Sequence, residues 1–296
     1  QKMNCVINPT RCSEAQILAS SKLAMWISGF LRIKLVDTKQ KAEEVLESNI
    51  ETLFIVNGMF GFCDFREEIR KIGAKAKEII WIGNDYTCTI PKQLNIRQRS
   101  NIRRIAIYDN FDNFPRHTVV DMNKLLHFDG AKRPHKHSGI FYYGSFRKNR
   151  VNVFKQWLNH DMFDVHISTA QKNVADFHAI NPQAKIYKAV GDIKKFIHFF
   201  QSSLYIEDQL ITDKIGHCPA NRFYEVTGSK VLLLYDGKAK NTLVRAGYWD
   251  DAFCVNSILD YKKKLENWEE LRDKQIALFG QRDFRAELNK DFFAAL

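Results

Sequence analysis

The sequence predicts an α/β protein made of two halves, each a parallel sheet flanked by helices. Three observations predict it. Short apolar runs rich in β-branched and aromatic residues alternate with amphipathic stretches of helical spacing between residues 4 and 83, the pattern of strand–helix–strand units. The same alternation begins again at residue 140. A chain of 296 residues also has the length of two domains at roughly 150 residues each, and Pro134 and Gly139 stand where one pattern gives way to the other.

In the first half, residues 4–9 read as a strand, 10–13 as a loop and 14–30 as a helix. In a Rossmann-like half-domain that loop follows the carboxyl end of the first strand, where ligands bind. Glu14 therefore has two readings: a carboxylate favoured by the positive end of a helix, or one turned toward a ligand. Strand 31–37, helix 40–48, buried strand 52–57, helix 65–77 and strand 78–83 follow. The last of these empties into Asn84, Asp85 and Tyr86. A carboxylate at the tip of an α/β strand can reach a ligand, although Asn-Asp is also ordinary turn chemistry. Segment 95–104 gathers Arg97, Arg99, Arg103 and Arg104, and segment 131–137 adds Lys132, Arg133 and Lys136. Arginine-rich loops beside such a strand suit DNA phosphates; a solvated basic face has the same composition.

The second half opens on Ile140, Phe141, Tyr142 and Tyr143, a β-prone run broken by Gly144 and Ser145. Arg147 and Arg150 then stand at the mouth of helical stretch 151–158. A small residue lets a phosphate approach the backbone, a helix start offers free N–H groups, and arginines add charge-assisted hydrogen bonds. Strand 165–168, a loop region through Asn181 and Pro182, strand 185–189, helix 192–200 and strand 204–207 come next. Residues 221–236 read as a short helix, a glycine turn and a buried strand. Arg222 and Glu225 share a face of that helix, a cation for phosphate beside a carboxylate for sugar hydroxyls, or simply a surface ion pair. Residues 243–247 and 253–255 suggest one more short strand, and 258–279 and 284–296 read as closing helices.

These two stretches resemble the DNA β-glucosyltransferases of T-even bacteriophages, which are glycosyltransferases of the GT-B type. Gly144, Ser145, Phe146, Arg147 and Arg150 match that family's strand-Gly-Ser-Phe-Arg motif and its further arginine, here one residue closer. Arg222, Glu225 and Asp236 match its Arg-x-x-Glu, small-residue turn and apolar strand ending in Asp, and segment 204–208 stands where the family has an apolar strand ending in an acid. The resemblance implies two Rossmann-like domains facing across a cleft: residues 1–136 for acceptor DNA and the catalytic base, 137–280 for the UDP-sugar, and 281–296 a C-terminal helix packing back on the first domain. It implies UDP-glucose as donor, with Gly144, Ser145, Arg147, Arg150, Arg222 and Glu225 binding it and Val190 standing where uracil is read. It makes Asp85 the general base, sets Glu14 toward the sugar, and makes double-stranded DNA carrying a modified cytosine the partner. Mg or Mn is compatible with the diphosphate, although no metal-ligand motif demands either. The alternatives are a glycosyltransferase for a small-molecule or cell-surface acceptor, and an inactive relative that only binds nucleic acid.

Composition bears on the partner. The formal charge of +11 favours a polyanion such as nucleic acid. Six cysteines lie scattered without a CxxC pair, a pattern of reduced thiols, and His135 and His137 have no Cys or acidic companion close in sequence. With no apolar run approaching the ~20 residues of a membrane span, and no secretory signal, the protein is expected to work inside a cell; the resemblance implies the cytoplasm of an infected bacterial host. A monomer is expected. Because the chain starts at Gln1, a native initiator or a tag is expected to be missing or removed.

Overall fold

The computed structural model describes residues 2–9, 18–56, 63–83, 101–109, 114–188, 193–207 and 218–296. The chain divides into two compact units, Gln1–Leu125 with Ala286–Leu296, and Leu126–Arg285. The division thus falls at residues 125/126 rather than 136/137, because segment 126–136 makes its contacts with the second unit: Gly130 N donates to Gly228 O and Lys136 N to Phe199 O, both at 2.8 Å.

Unit 1 is a parallel six-stranded sheet of order β2-β1-β3-β4-β5-β6, with β1 Lys2–Ile7, β2 Lys34–Val36, β3 Asn49–Val56, β4 Glu78–Gly83, β5 Ile102–Ala106 and β6 His117–Val119. The central strands β1, β3 and β4 carry continuous buried apolar runs because both faces are covered there. Successive side chains go to opposite faces. Cys5, Leu53, Ile55, Ile79 and Trp81 pack with Ala42, Val45, Ile69 and Ile72 of the helices Lys39–Leu46 and Arg66–Lys75. Val6, Phe54, Val56, Ile80 and Ile82 pack on the other face with Leu23, Trp26 and Ile27 of helix Leu18–Leu31. Leu288, Phe292 and Ala295 of the last helix, Phe284–Ala295, complete that second layer. Phe292 meets Trp26 edge-on at 4.9 Å, and the Trp26 indole donates to Asn289 Oδ1 at 3.2 Å.

Two arginines expected on DNA are instead part of this unit's architecture. The run 95–104 looks like a basic loop, but Ile102 starts a strand that pairs with Ile79. Arg104 is fully buried, with its guanidinium 5.2 Å from the ring centroids of Trp81, Tyr108 and Phe114. Its Nε donates to His117 Nδ1 at 3.0 Å. Arginine has no acceptor, so Nδ1 accepts and the remaining imidazole proton sits on Nε2, 3.0 Å from Tyr108 O. Arg103, on the opposite face of β5, donates to the carbonyls of Ala295 and Leu296 at 3.1 and 2.6 Å and pairs with Glu78 at 3.3 Å.

Unit 2 is a second parallel six-stranded sheet, of order β12-β11-β10-β7-β8-β9: β7 His137–Tyr143, β8 Val165–Thr169, β9 Lys185–Lys188, β10 Phe200–Tyr205, β11 Leu232–Asp236 and β12 Cys254–Val255. The chain runs outward from β7 through β8 to β9, then returns to lay β10 on the other side of β7. Ligands of open α/β sheets bind beyond the strand ends at such a reversal. Several local expectations change here. Residues 174–180 form a helix rather than a loop, 240–246 form a helix rather than a strand, and the expected helix 192–200 reduces to Lys194–Ile197 because Phe200 already belongs to β10. The expected helix 258–279 is divided into Ile258–Glu266 and Trp268–Gln275, followed by a π turn. No helix among the described residues is long and apolar enough to cross a membrane.

His166 makes this unit's stability depend on pH. It is fully buried in β8, with Nδ1 2.9 Å from the Tyr187 hydroxyl and its ring 5.1 Å from that of His137. Burial first, then the charges of His137 and Lys185, push its pKa down to about 4 against the opposing pull of Asp164. The unfolded chain, titrating near 6.5, takes up the proton before the folded one does. Stability is therefore full above pH 6.5 and falls as the pH drops from 6.5 toward 4, by up to about 1.4 kcal/mol per pH unit. Urea unfolding at a series of pH values should show this slope in the wild type and a shallower one in His166→Asn. An equal slope in both would place its origin in other groups.

Candidate functional site

The site is built where β7 and β10 end. Ile140, Phe141 and Tyr142 are fully buried and anchor β7, so the chain emerges at Tyr143 and Gly144 in a fixed position. Gly144 has φ +147° and an added Cβ would lie 3.1 Å from Arg222 Nη2 and 3.1 Å from the Tyr142 hydroxyl. Glycine is thus favoured by the backbone conformation, and the guanidinium lies tightly against it. Its N–H donates to Ser168 O at 3.1 Å and its carbonyl accepts from Thr169 Oγ1 at 2.8 Å, tying the turn to β8. Phe146 pins the loop from beneath, its ring 5.4 Å from Phe154 and 5.2 Å from Phe177. Ser145 and Arg147 on either side of it are exposed, and Arg150 is half-buried at the start of helix Val151–Leu158.

Helix Asn221–Gly228 supplies the other wall. Arg222 is half-buried in its first turn, with its guanidinium 5.0 Å from the Tyr142 ring centroid and 5.7 Å from that of Tyr143. Its Nη1 donates to Ile206 O at 3.4 Å, linking the helix to the end of β10. One turn later Glu225 accepts at Oε2 from the Tyr143 hydroxyl at 2.7 Å. Burial, and then the Glu225 carboxylate, push the Tyr143 phenol well above its ordinary pKa, so it stays protonated and holds Glu225 in place. Gly144, Arg222 and Glu225, far apart in sequence, therefore meet at the carboxyl ends of two adjacent strands.

Three tyrosines and one carboxylate of this site escaped sequence reading. Tyr142 and Tyr143 were visible only as strand residues. Tyr205 is fully buried; its hydroxyl donates to Glu207, which is itself buried, and accepts from Ala220 N at 2.8 Å. That bond fixes the chain entering the Arg222 helix. The available signal was the tyrosine itself, since a phenol at the end of a buried strand needs a polar partner. Asp236, by contrast, turns inward: it accepts from the Trp157 indole and from Lys238 N, the latter at 2.8 Å, and so caps the 3-10 turn Gly237–Ala239 that follows β11. His135 packs edge-on against Trp268, and His137 lies among His166 and Phe200. Lys132 is an exposed partner of Asp273 at 2.6 Å. Among the described residues, no three His, Cys, Asp or Glu side chains gather as a metal site. Glu14, Asp85, Arg97, Arg99 and Val190 lie outside the described residues.

No family model matches this chain, and no curated protein matches it by sequence. Solved structures do. The DNA-modifying enzyme β-glucosyltransferase, crystallised with and without the substrate uridine diphosphoglucose, matches with a TM-score of 0.77 and 17% identity over 100% of this chain and 99% of that one. The T4 phage enzyme in complex with UDP and Mn2+ matches at 0.71 and 17%, and T4 phage β-glucosyltransferase in a study of substrate binding and mechanism at 0.73 and 16%, with the same coverage. With its two parallel six-stranded sheets flanked by helices, the chain has the GT-B glycosyltransferase fold of T4 phage β-glucosyltransferase.

Proposed function

We propose that the protein is an inverting glucosyltransferase that moves glucose from UDP-glucose to hydroxymethylcytosine in double-stranded DNA, bare or already α-glucosylated. The observation that carries this reading is the meeting of Gly144, Arg222 and Glu225 at the strand ends where the second sheet reverses its order. The whole-chain likeness to an enzyme whose substrate is UDP-glucose supports it. In this reading Arg222, Arg147 and Arg150 hold the diphosphate and stabilise the charge that grows on departing UDP. The turn at Gly144 and Ser145 lets the phosphates approach the backbone, and Val190 meets the uracil. Glu225, oriented by Tyr143, accepts from the ribose hydroxyls.

On the acceptor side, Asp85 takes the proton from the attacking hydroxyl as that oxygen reaches the anomeric carbon. Glu14 faces the sugar. Arg97 and Arg99 grip DNA phosphates, while Arg103 and Arg104 hold the first unit together. A hydroxymethyl group on a base inside the duplex must leave the stack to reach such a site, so base flipping is part of the proposal. A divalent cation such as Mg or Mn would help neutralise the diphosphate in this reading, which the likeness to an enzyme in complex with UDP and Mn2+ supports. The protein would act as a monomer in the cytoplasm of an infected bacterium.

Labelled UDP-glucose offered in parallel with unmodified, hydroxymethylated and α-glucosylated duplexes tests the reading. Label is expected on the hydroxymethylated duplex and absent from the unmodified one. Label on neither modified duplex would defeat a DNA acceptor, and label only on the glucosylated one would make this a glucose-on-glucose enzyme.

A further inference from the structure

At the opposite end of the second sheet lies a cavity that the donor chemistry does not use. It sits by the amino ends of β7 and β10, where Lys136 N and His137 N both donate to Phe199 O, at 2.8 and 2.9 Å. A seven-residue strand such as β7 separates this end from Gly144 by about 20 Å, too far for one nucleotide sugar to occupy both. The cavity holds about 410 Å³ and is lined chiefly by Phe128, Arg133, Lys194, Lys195, His198 and Phe199. That volume lies within the range of small-ligand pockets.

Its chemistry is one-sided. No acidic side chain is among the described residues lining it. The nearby carboxylates are turned to other cations: Asp129 to Lys230 at 2.7 Å and Asp273 to Lys132 at 2.6 Å. Among the described residues, no carboxylate lies within ion-pair distance of Arg133, Lys136 or Lys195. Two lysines stand over the aromatic rings, Lys194 Nζ 4.2 Å from the Phe128 centroid and Lys136 Nζ 4.6 Å from that of Phe199. The floor is rigid, because Gly130 and Gly228 are packed so closely that a Cβ on Gly130 would meet Gly228 O at 2.7 Å, and one on Gly228 would meet Phe128 O at 2.5 Å. A narrow cleft sharing Arg133 and His198 continues to Trp268 and Arg272. Arg133, Lys136 and Lys195 gather beside an apolar floor and attract an anion, and a ligand with a flat ring and a phosphate satisfies both parts.

We infer that this cavity is a second binding site, for a nucleoside phosphate, with the phosphate between Arg133, Lys194 and Lys195 and the base on the apolar floor. The ligand is either a free nucleotide or one unit of a single-stranded nucleic acid running on toward Trp268. The site stands whether or not the protein transfers glucose.

The test is fluorescence anisotropy with two probes, a labelled oligothymidylate and a fluorescent ATP analogue, with unlabelled ATP as competitor, on the full chain, on the double variant Arg133→Glu/Lys195→Glu and on Arg222→Ala. Both reversed residues are exposed, and a thermal melt confirms folding. The wild type is expected to bind, the double variant to bind at least ~10-fold more weakly with UDP affinity unchanged, and Arg222→Ala to bind as the wild type does. Displacement by ATP identifies a free nucleotide as the ligand, and retention of the strand against ATP identifies the strand. Absence of binding to both probes, equal binding by the double variant, or a matching loss in Arg222→Ala overturns the site.

Discussion

Asp85→Asn is expected to abolish most glucosyl transfer while leaving the affinity for UDP in place. An amide keeps the size and much of the hydrogen bonding of the carboxylate but cannot take the proton from the attacking hydroxyl, and removal of a general base commonly costs ~100- to 10,000-fold. In the proposed reading the loss falls on kcat, since there the donor is held by residues of the second unit and the acceptor still reaches the site. Single-turnover transfer to a hydroxymethylated duplex, with calorimetric titration of UDP beside it, separates the two effects. Near-normal turnover would remove Asp85 from the mechanism; weakened UDP binding would mean that the residue supports the donor site instead.

Arg222→Ala should give the opposite signature. Losing a charge-assisted contact to the diphosphate costs about 1.5–3 kcal/mol, which is roughly 10- to 150-fold in UDP affinity. The substitution also empties the space against Gly144 and uncovers the rings of Tyr142 and Tyr143, so a modest drop in thermal stability should accompany it. Arg222→Lys keeps the charge but not the planar group stacked on those rings, and should fall between the two. Calorimetry showing UDP affinity unchanged in Arg222→Ala, in a folded protein, would take this arginine out of the donor site.

What the sequence determined by itself follows from short-range physics. Apolar runs such as Phe54–Val56 in β3 and Leu232–Tyr235 in β11 must be buried on both faces, and alternating them with amphipathic helices leaves a parallel sheet as the way to do so. The turn after Tyr143 and the helical spacing of Arg222 and Glu225 were legible for the same reason, since glycine and helix periodicity act over a few residues. The tertiary structure alone decided which polar groups face inward. Arg104 lies one residue from Arg103 in an arginine-rich stretch, and only the arrival of Trp81, Tyr108, Phe114 and His117 from other segments makes its burial tolerable. Tyr143 finds Glu225 across 82 residues, and the cationic cavity by Phe128 and Phe199 draws its walls from segments that no local pattern connects. Hydrogen bonds and cation–π contacts are short in space without being short in sequence, so their partners appear only once the sheets have brought distant strand ends together.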